Sequence, residues 1–256
     1  MARRGALAGL AGAAAAFACV VAIVLLRGGG DEGSGPPPTR LAPPPRETPK
    51  LVQEPTLRPR APFGAQLARR TQLRARPGGR VIAALGMRTG YGSARVLSVV
   101  ARRGGWLGVL THYLPNARAG WIPATSATLL HEPYTLHVDL SARELVVRHE
   151  HRVVRRIAVA VGRPGVATPT GRFAVTDRLR IDGPRGPYGC CALALTARQP
   201  NVPQGWTGGD RIAIHGTSKA SSIGTAASSG CLRAGDRDMR WLLARIPDGA
   251  PVRIRT

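Results

Sequence analysis

Residues 134–161 read YTLHVDLSARELVVRHEHRVVRRIAVAV. Tyr134, Leu136, Val138 and Leu140 fall on one side of an extended chain, and Thr135, His137 and Asp139 fall on the other. That period of two is the mark of a half-buried β-strand. Short apolar runs of strand length follow at Glu144–Arg148, Val153–Val161, Arg172–Thr176, Ala192–Thr196, Arg211–His215 and Pro251–Arg255. One stretch changes period: in Asp236–Ile246, Met239, Leu242, Leu243 and Ile246 form a helical stripe, with Asp236 as its expected cap. Residues 131–256 are therefore expected to form a mostly antiparallel β-sandwich or barrel with one late helix, in a chain that is mainly β.

Upstream, residues 65–130 carry further short runs, Val81–Leu85, Val96–Ala101 and Trp106–Leu110, parted by turns such as Pro77-Gly78-Gly79 and Arg103-Gly104-Gly105. This spacing predicts a small β-barrel or sandwich. Residues 28–64 hold many prolines, few apolar residues and no usable period, so they cannot bury enough surface to fold and are expected to be a disordered, semi-extended linker. Before them, Ala6 to Leu26 contains no charged or polar side chain, between Arg3-Arg4 and Arg27. As a helix this run spans about 30 Å, the thickness of a bilayer's hydrocarbon core. An uncleaved anchor over residues 1–27 is expected, with the paired arginines in the cytoplasm and everything later outside. The alternative is cleavage after Ala16-Phe17-Ala18, with Cys19 open to lipidation.

The chain has 256 residues, of which 37 are Lys or Arg and 14 Asp or Glu, a formal +23. Only Lys50 and Lys219 are lysines. The arginines are scattered over the whole length and aromatic residues make up 4%, so stacking surfaces for bases are few and nucleic acid is set aside as a partner. A basic surface facing an anionic membrane or cell wall needs no specific contact. The 32 Gly and 22 Pro exclude a helical bundle and fall short of collagen.

Three of the four cysteines lie beyond the apolar run. Cys231 sits in S-S-G-C-L-R, a turn of small residues just before the predicted helix, and His215 sits in I-A-I-H-G-T sixteen residues earlier. A thiol becomes a thiolate beside a base or a cation, and an imidazole or a helix N-terminus supplies one. Gly216 and Gly230 leave room for backbone N–H groups to approach an oxyanion. The residues alone are also compatible with a structural Cys beside an unrelated His. Cys190 and Cys191 are adjacent, which suits them poorly to ligating one metal together; a vicinal disulfide and two free thiols both stay open. His112, His131, His137, His149 and His151 show no ligand spacing and are expected at the surface.

The run His215-Gly216-Thr217, Ile223-Gly224 and Ser229-Gly230-Cys231-Leu232-Arg233 resembles the active-site signature of the YkuD-like L,D-transpeptidase catalytic domain. Upstream, VGRPGVATPTGRF at 161–173 resembles that family's strand and T-P-x-G-x-F turn, and the resemblance runs from Tyr134 to the C-terminus. More loosely, WLGVLTHYLPNARAGWIP at 106–123 resembles the bacterial Src-homology-3-like wall-binding module, read either as a substrate-positioning domain or as a spacer.

The transpeptidase resemblance implies that Cys231 is the nucleophile, His215 its base and the Gly216 carbonyl the group that fixes the His tautomer. It further implies that the Gly230 and Cys231 N–H groups stabilise the oxyanion, and that Arg233, with Ser229 and Thr217, binds substrate. Many members carry His where this chain has Ser229, so that His has no counterpart here. The implied partners are peptidoglycan stem peptides, as donor and acceptor, and other cell-wall synthesis proteins; the apolar run at residues 6–26 adds the membrane, through the N-terminal helix. No metal or organic cofactor is implied. The implied reaction joins two third residues of stem peptides through a Cys231 thioester and releases D-Ala, and acylation by carbapenems goes with it. A cysteine L,D-carboxypeptidase trimming stem peptides and a wall-binding protein without turnover are the alternatives.

Overall fold

The computed structural model describes residues 63–181, 186–201 and 209–256. The expected anchor at 1–27 and all but the last two residues of the expected linker at 28–64 lie outside the described residues; Phe63 and Gly64 already belong to a strand. Among the described residues no helix is long and apolar enough to cross a membrane.

Seven strands come first: β1 Phe63–Leu67, β2 Thr71–Arg74, β3 Val81–Leu85, β4 Val96–Arg103, β5 Trp106–Leu110, β6 Ala119–Pro123 and β7 Ala127–His131. They form one antiparallel sheet in the order β3-β2-β6-β5-β4-β1-β7, whose end strands do not pair with each other, so the expected barrel takes the form of a sheet with two edges. Alternate side chains, Leu73, Leu107, Val109 and Ile122 among them, are removed from water into a core of their own. Sequence periodicity missed β1, β2, β6 and β7, whose apolar positions are too few or too interrupted to announce a strand.

The second sheet is larger. Its strands are β8 Tyr134–Asp139, β9 Glu144–His149, β10 Arg152–Ala158, β12 Gly171–Arg180, β13 Cys191–Arg198, β14 Arg211–His215, β16 Leu232–Arg233 and β17 Pro251–Arg255, in the order β10-β9-β8-β17-β12-β13-β14-β16; β11 Val161–Gly162 and β15 Ala226–Ser228 pair apart from it. The alternation read at Tyr134–Leu140 holds, with Leu136 and Val138 buried. Most pairings are antiparallel, but the terminal strand β17 lies parallel to β8, and β16 lies parallel to β14. A helix makes the return to β17 geometrically accessible: α1 spans Asp236–Arg245 and buries Met239 and Leu242 in the same core as β13 and β14. Gly235, not Asp236, occupies the cap of α1, and no side chain caps it. The Asp236 carboxylate instead accepts the N–H of Cys190 at 3.2 Å.

The two sheets meet through polar contacts. Asn116 exchanges two hydrogen bonds with the backbone of Arg198, at 2.7 and 2.9 Å, and the Thr89 hydroxyl donates to the buried Asp177 carboxylate on β12. His112, expected at the surface, is half-buried at this junction. Burial, followed by the Arg211, Arg95 and Arg198 guanidiniums, brings its pKa down to about 4. His137 is also partly buried on β8, and burial lowers its pKa.

Candidate active site

β14 and β16 run side by side in parallel, with Ile214 opposite Leu232 and His215 opposite Arg233. Side chains alternate along each strand, so Leu232 and Ile214 enter the core while Cys231, Arg233, Ala213 and His215 turn toward one cleft of about 460 Å³. Ser229, Tyr188, Gln199 and Arg211 line the same cleft. The sixteen residues between the end of β14 at His215 and the start of β16 at Leu232 form the excursion that lets two neighbouring strands run in the same direction.

The His215 ring is buried, and its Nδ1 donates to the Gly216 carbonyl at 2.5 Å. That bond fixes the tautomer and leaves Nε2 as the ring's unprotonated nitrogen. Burial, followed by the positive charge of Arg233, holds the imidazole pKa down to about 4 even though the Gly216 bond works the other way. Burial also pushes the Cys231 thiol up, against the opposing pull of the Ala213 N–H and then of Arg233. At neutral pH the resting pair is a thiol and a neutral imidazole. Of the two expected sources of ionisation, the helix N-terminus is absent, because Cys231 precedes a strand and α1 starts only at Asp236; the neutral His215 ring stays available as a base. Tyr188 meets the His215 ring edge-on, with centroids 4.8 Å apart.

The loop before Cys231 is held by residues that carried no role in the sequence. The Gln199 amide nitrogen lies 3.1 Å from the carbonyls of Val166, Ala167 and Ser229, and Thr168 donates to the Gly230 carbonyl at 2.9 Å. Ser228 donates to the Cys231 carbonyl at 2.6 Å and accepts the Gly230 N–H at 3.1 Å. Gly230 has φ +118°, and a Cβ there would collide with the Gln199 amide, so the position admits glycine alone. Thr168 could have been singled out, since it belongs to the T-P-T-G-R-F turn; nothing in the sequence marks Gln199.

The expected site residues separate into two groups. Cys231, His215, Arg233 and Ser229 share the cleft, and the Gly216 carbonyl holds the histidine. The Gly230 N–H, expected to face an oxyanion, is already given to Ser228, whereas the Cys231 N–H has no partner among the described residues. Thr217, expected to bind substrate, does not line the cleft, and its hydroxyl accepts the Lys219 N–H at 3.0 Å. Arg233 keeps a buried Nε without a hydrogen-bond partner, an arrangement that is costly unless a ligand completes it. Ser229 accepts a hydrogen bond from Arg163 at 2.9 Å. A disulfide joins Cys190 to Cys191, leaving Cys231 as the free cysteine among the described residues.

A profile of the YkuD family, described as the L,D-transpeptidase catalytic domain, matches residues 133–254. The chain is 32% identical over 146 residues to the YkuD protein of Bacillus subtilis strain 168, which is provisionally named an L,D-transpeptidase; the match covers 55% of this chain and 80% of that protein. The YqjB protein of the same strain, with the same provisional name, is 30% identical over 133 residues, covering 48% of this chain and 71% of its own length. Among solved structures, an L,D-transpeptidase from Mycobacterium tuberculosis H37Rv aligns with a TM-score of 0.40 at 16% identity, over 56% of this chain and 67% of that one.

Proposed function

The chain belongs to the YkuD-like L,D-transpeptidase family, and from that membership we propose that it cross-links peptidoglycan stem peptides through a thioester on Cys231. The observation that carries this reading is the sharing of one cleft by Cys231, His215 and Arg233, with the His215 tautomer set by Gly216.

The donor is a tetrapeptide stem whose terminal D-Ala carboxylate pairs with the Arg233 guanidinium, which satisfies its unpartnered Nε. The Cys231 sulfur attacks the carbonyl carbon of the third residue as its proton passes to Nε2 of His215. The Cys231 N–H stabilises the oxyanion, and Arg233 adds positive charge nearby. Collapse breaks the C–N bond, His215 returns its proton to the departing D-Ala amine, and a thioester remains. The side-chain amine of an acceptor stem then attacks the thioester and passes a proton to His215, and the Cys231 sulfur leaves and is reprotonated. One amide is broken and one is formed, so no external energy source or cofactor enters the balance. Water in place of the amine gives the trimming reaction instead.

The reading places the reaction in the cell-wall space, with residues 1–27 as a membrane anchor and 28–62 as a spacer. The Arg3-Arg4 pair ahead of an apolar run supports that orientation.

Intact-mass analysis tests the nucleophile: one carbapenem equivalent adds to the parent protein and none to Cys231→Ala. Incubation with disaccharide-tetrapeptide tests the reaction, with cross-linked dimer and free D-Ala as the expected products. Tripeptide without dimer would make the protein a carboxypeptidase, and an unacylated parent would overturn the proposed nucleophile.

A further inference from the structure

Every group in the reaction above lies in or directly beside strands β14 and β16 of the second sheet, yet the cleft is bounded in part by the first. The β3–β4 connection, GMRTGYGSAR at residues 86–95, reaches the cleft and places Tyr91 in its lining. The reach is built rather than incidental. Within the connection, the Arg95 N–H bonds the Met87 carbonyl at 2.7 Å, the Thr89 N–H bonds Ser93 at 2.9 Å and the Gly92 N–H bonds Thr89 at 3.1 Å. The buried Arg95 guanidinium ties both ends, donating to the carbonyls of Gly86 and Arg88 at 2.8 Å. The Thr89 hydroxyl accepts the Tyr91 N–H at 3.2 Å and donates to Asp177 on β12, so one side chain fixes the hairpin tip to the second sheet.

At that tip the Tyr91 side chain is left 61% exposed. A large aromatic held in the open at the edge of a reactive cleft, on a tip with few conformations to lose, has the properties of a binding contact. Its phenol is close enough to Tyr188 and Arg211 to bear on the protonation of both. Among the described residues the cleft also has a sign: Arg211 and Arg233 line it, and the acidic residue in its lining, Asp210, is taken up by Arg198 at 2.6 Å. An elongated anionic ligand with apolar methylene and methyl groups matches this lining.

We infer that the first sheet completes the substrate site, with Tyr91 as a specificity-determining contact that packs on the peptide stem bound in the cleft. The inference rests on the proposed function for the identity of that peptide as a stem. It assigns the 63–131 sheet a part in substrate selection in addition to any role as a spacer.

The test is titration of a carboxylate-terminated tetrapeptide stem into the full-length Cys231→Ala protein, with Tyr91→Ala, Tyr91→Phe or Thr89→Val added. Tyr91→Ala is expected to weaken binding about tenfold, Tyr91→Phe by no more than about twofold, and Thr89→Val by an intermediate factor because the tip is released with its ring intact. With Cys231 present, the loss in kcat/KM for Tyr91→Ala is expected to lie in KM. The exposed side chain should leave the unfolding temperature within about 1 °C of the parent, which separates a contact from a folding defect. Equal affinity for Tyr91→Ala and its parent overturns the inference, as does a parent that binds no stem. A parent that binds the stem in a Tyr91-dependent way but never forms a thioester keeps the inference and removes the proposed reaction.

Discussion

His215 Nδ1 lies 2.5 Å from the carbonyl oxygen of the next residue, Gly216, so the tautomer of the proposed base is set within a single dipeptide. A triad carboxylate would also stabilise an imidazolium by charge. A carbonyl supplies only a dipole, and burial with Arg233 nearby moves the ring pKa down to about 4. In the proposed reaction, deprotonation of Cys231 is therefore coupled to attack rather than completed beforehand.

The pH profile should show this. An imidazole with a pKa of about 4 stays a competent base from neutral pH down to about 5, and loses activity only as pH falls through 4. Carbapenem acylation of Cys231 followed by mass spectrometry should give a flat rate between about pH 5 and 7. Iodoacetamide, which needs a thiolate, should react slowly at pH 7 and faster above the ordinary thiol value, because burial raises the Cys231 pKa. An acid limb near 6.5 would contradict the neutral resting pair.

Gly230→Ala should fail twice over. The backbone at φ +118° disfavours any side chain, and the new methyl collides with the Gln199 amide, whose two N–H groups are shared among three loop carbonyls. A loss of about 2–3 kcal/mol in stability is expected, measured by denaturant unfolding, together with a fall in acylation rate of at least about tenfold. Gln199→Ala should cost about 2 kcal/mol through the buried carbonyls it strands.

Digestion with trypsin under non-reducing conditions should release residues 186–198 two hydrogen masses lighter than the reduced peptide, because Cys190 and Cys191 are joined. Cys231 should be alkylated in the same sample without prior reduction. Labelling of Cys190 or Cys191 before reduction would show the pair to be open.

Glu132 is buried between Gly64 and Gly249 with Oε2 unpartnered, and burial, followed by the charge of Asp248, raises its pKa to about 7. The folded state therefore binds this proton more tightly than the unfolded chain. The resulting stability is fully present below about 4.5 and is lost as pH rises through 7. Glu132→Gln should unfold a few degrees higher than the parent at pH 8 and converge with it near pH 5, as measured by calorimetry. The two histidines act in the opposite sense. His112 and His215 stay neutral in the folded protein down to about 4, so their contribution is lost as pH falls from 6.5 toward that value.

Local features are legible in the order of residues alone. Alternation at Tyr134–Leu140, the helical stripe of α1 and the pairing of a His-Gly dipeptide with a Gly-Cys dipeptide are patterns written within a few residues, where strand and helix periods dictate which side chains share a face. They were enough to reach the β-rich class, the family resemblance and the residues proposed for the chemistry. Tertiary structure decided what depends on residues far apart in the chain. The parallel pairing of β17 with β8, the Gln199 clamp on the Gly230 loop, the taking up of the Gly230 N–H and the arrival of Tyr91 from the first sheet leave no periodic trace. Each is a contact between segments whose separation in sequence carries no information about their distance in space until the chain has packed.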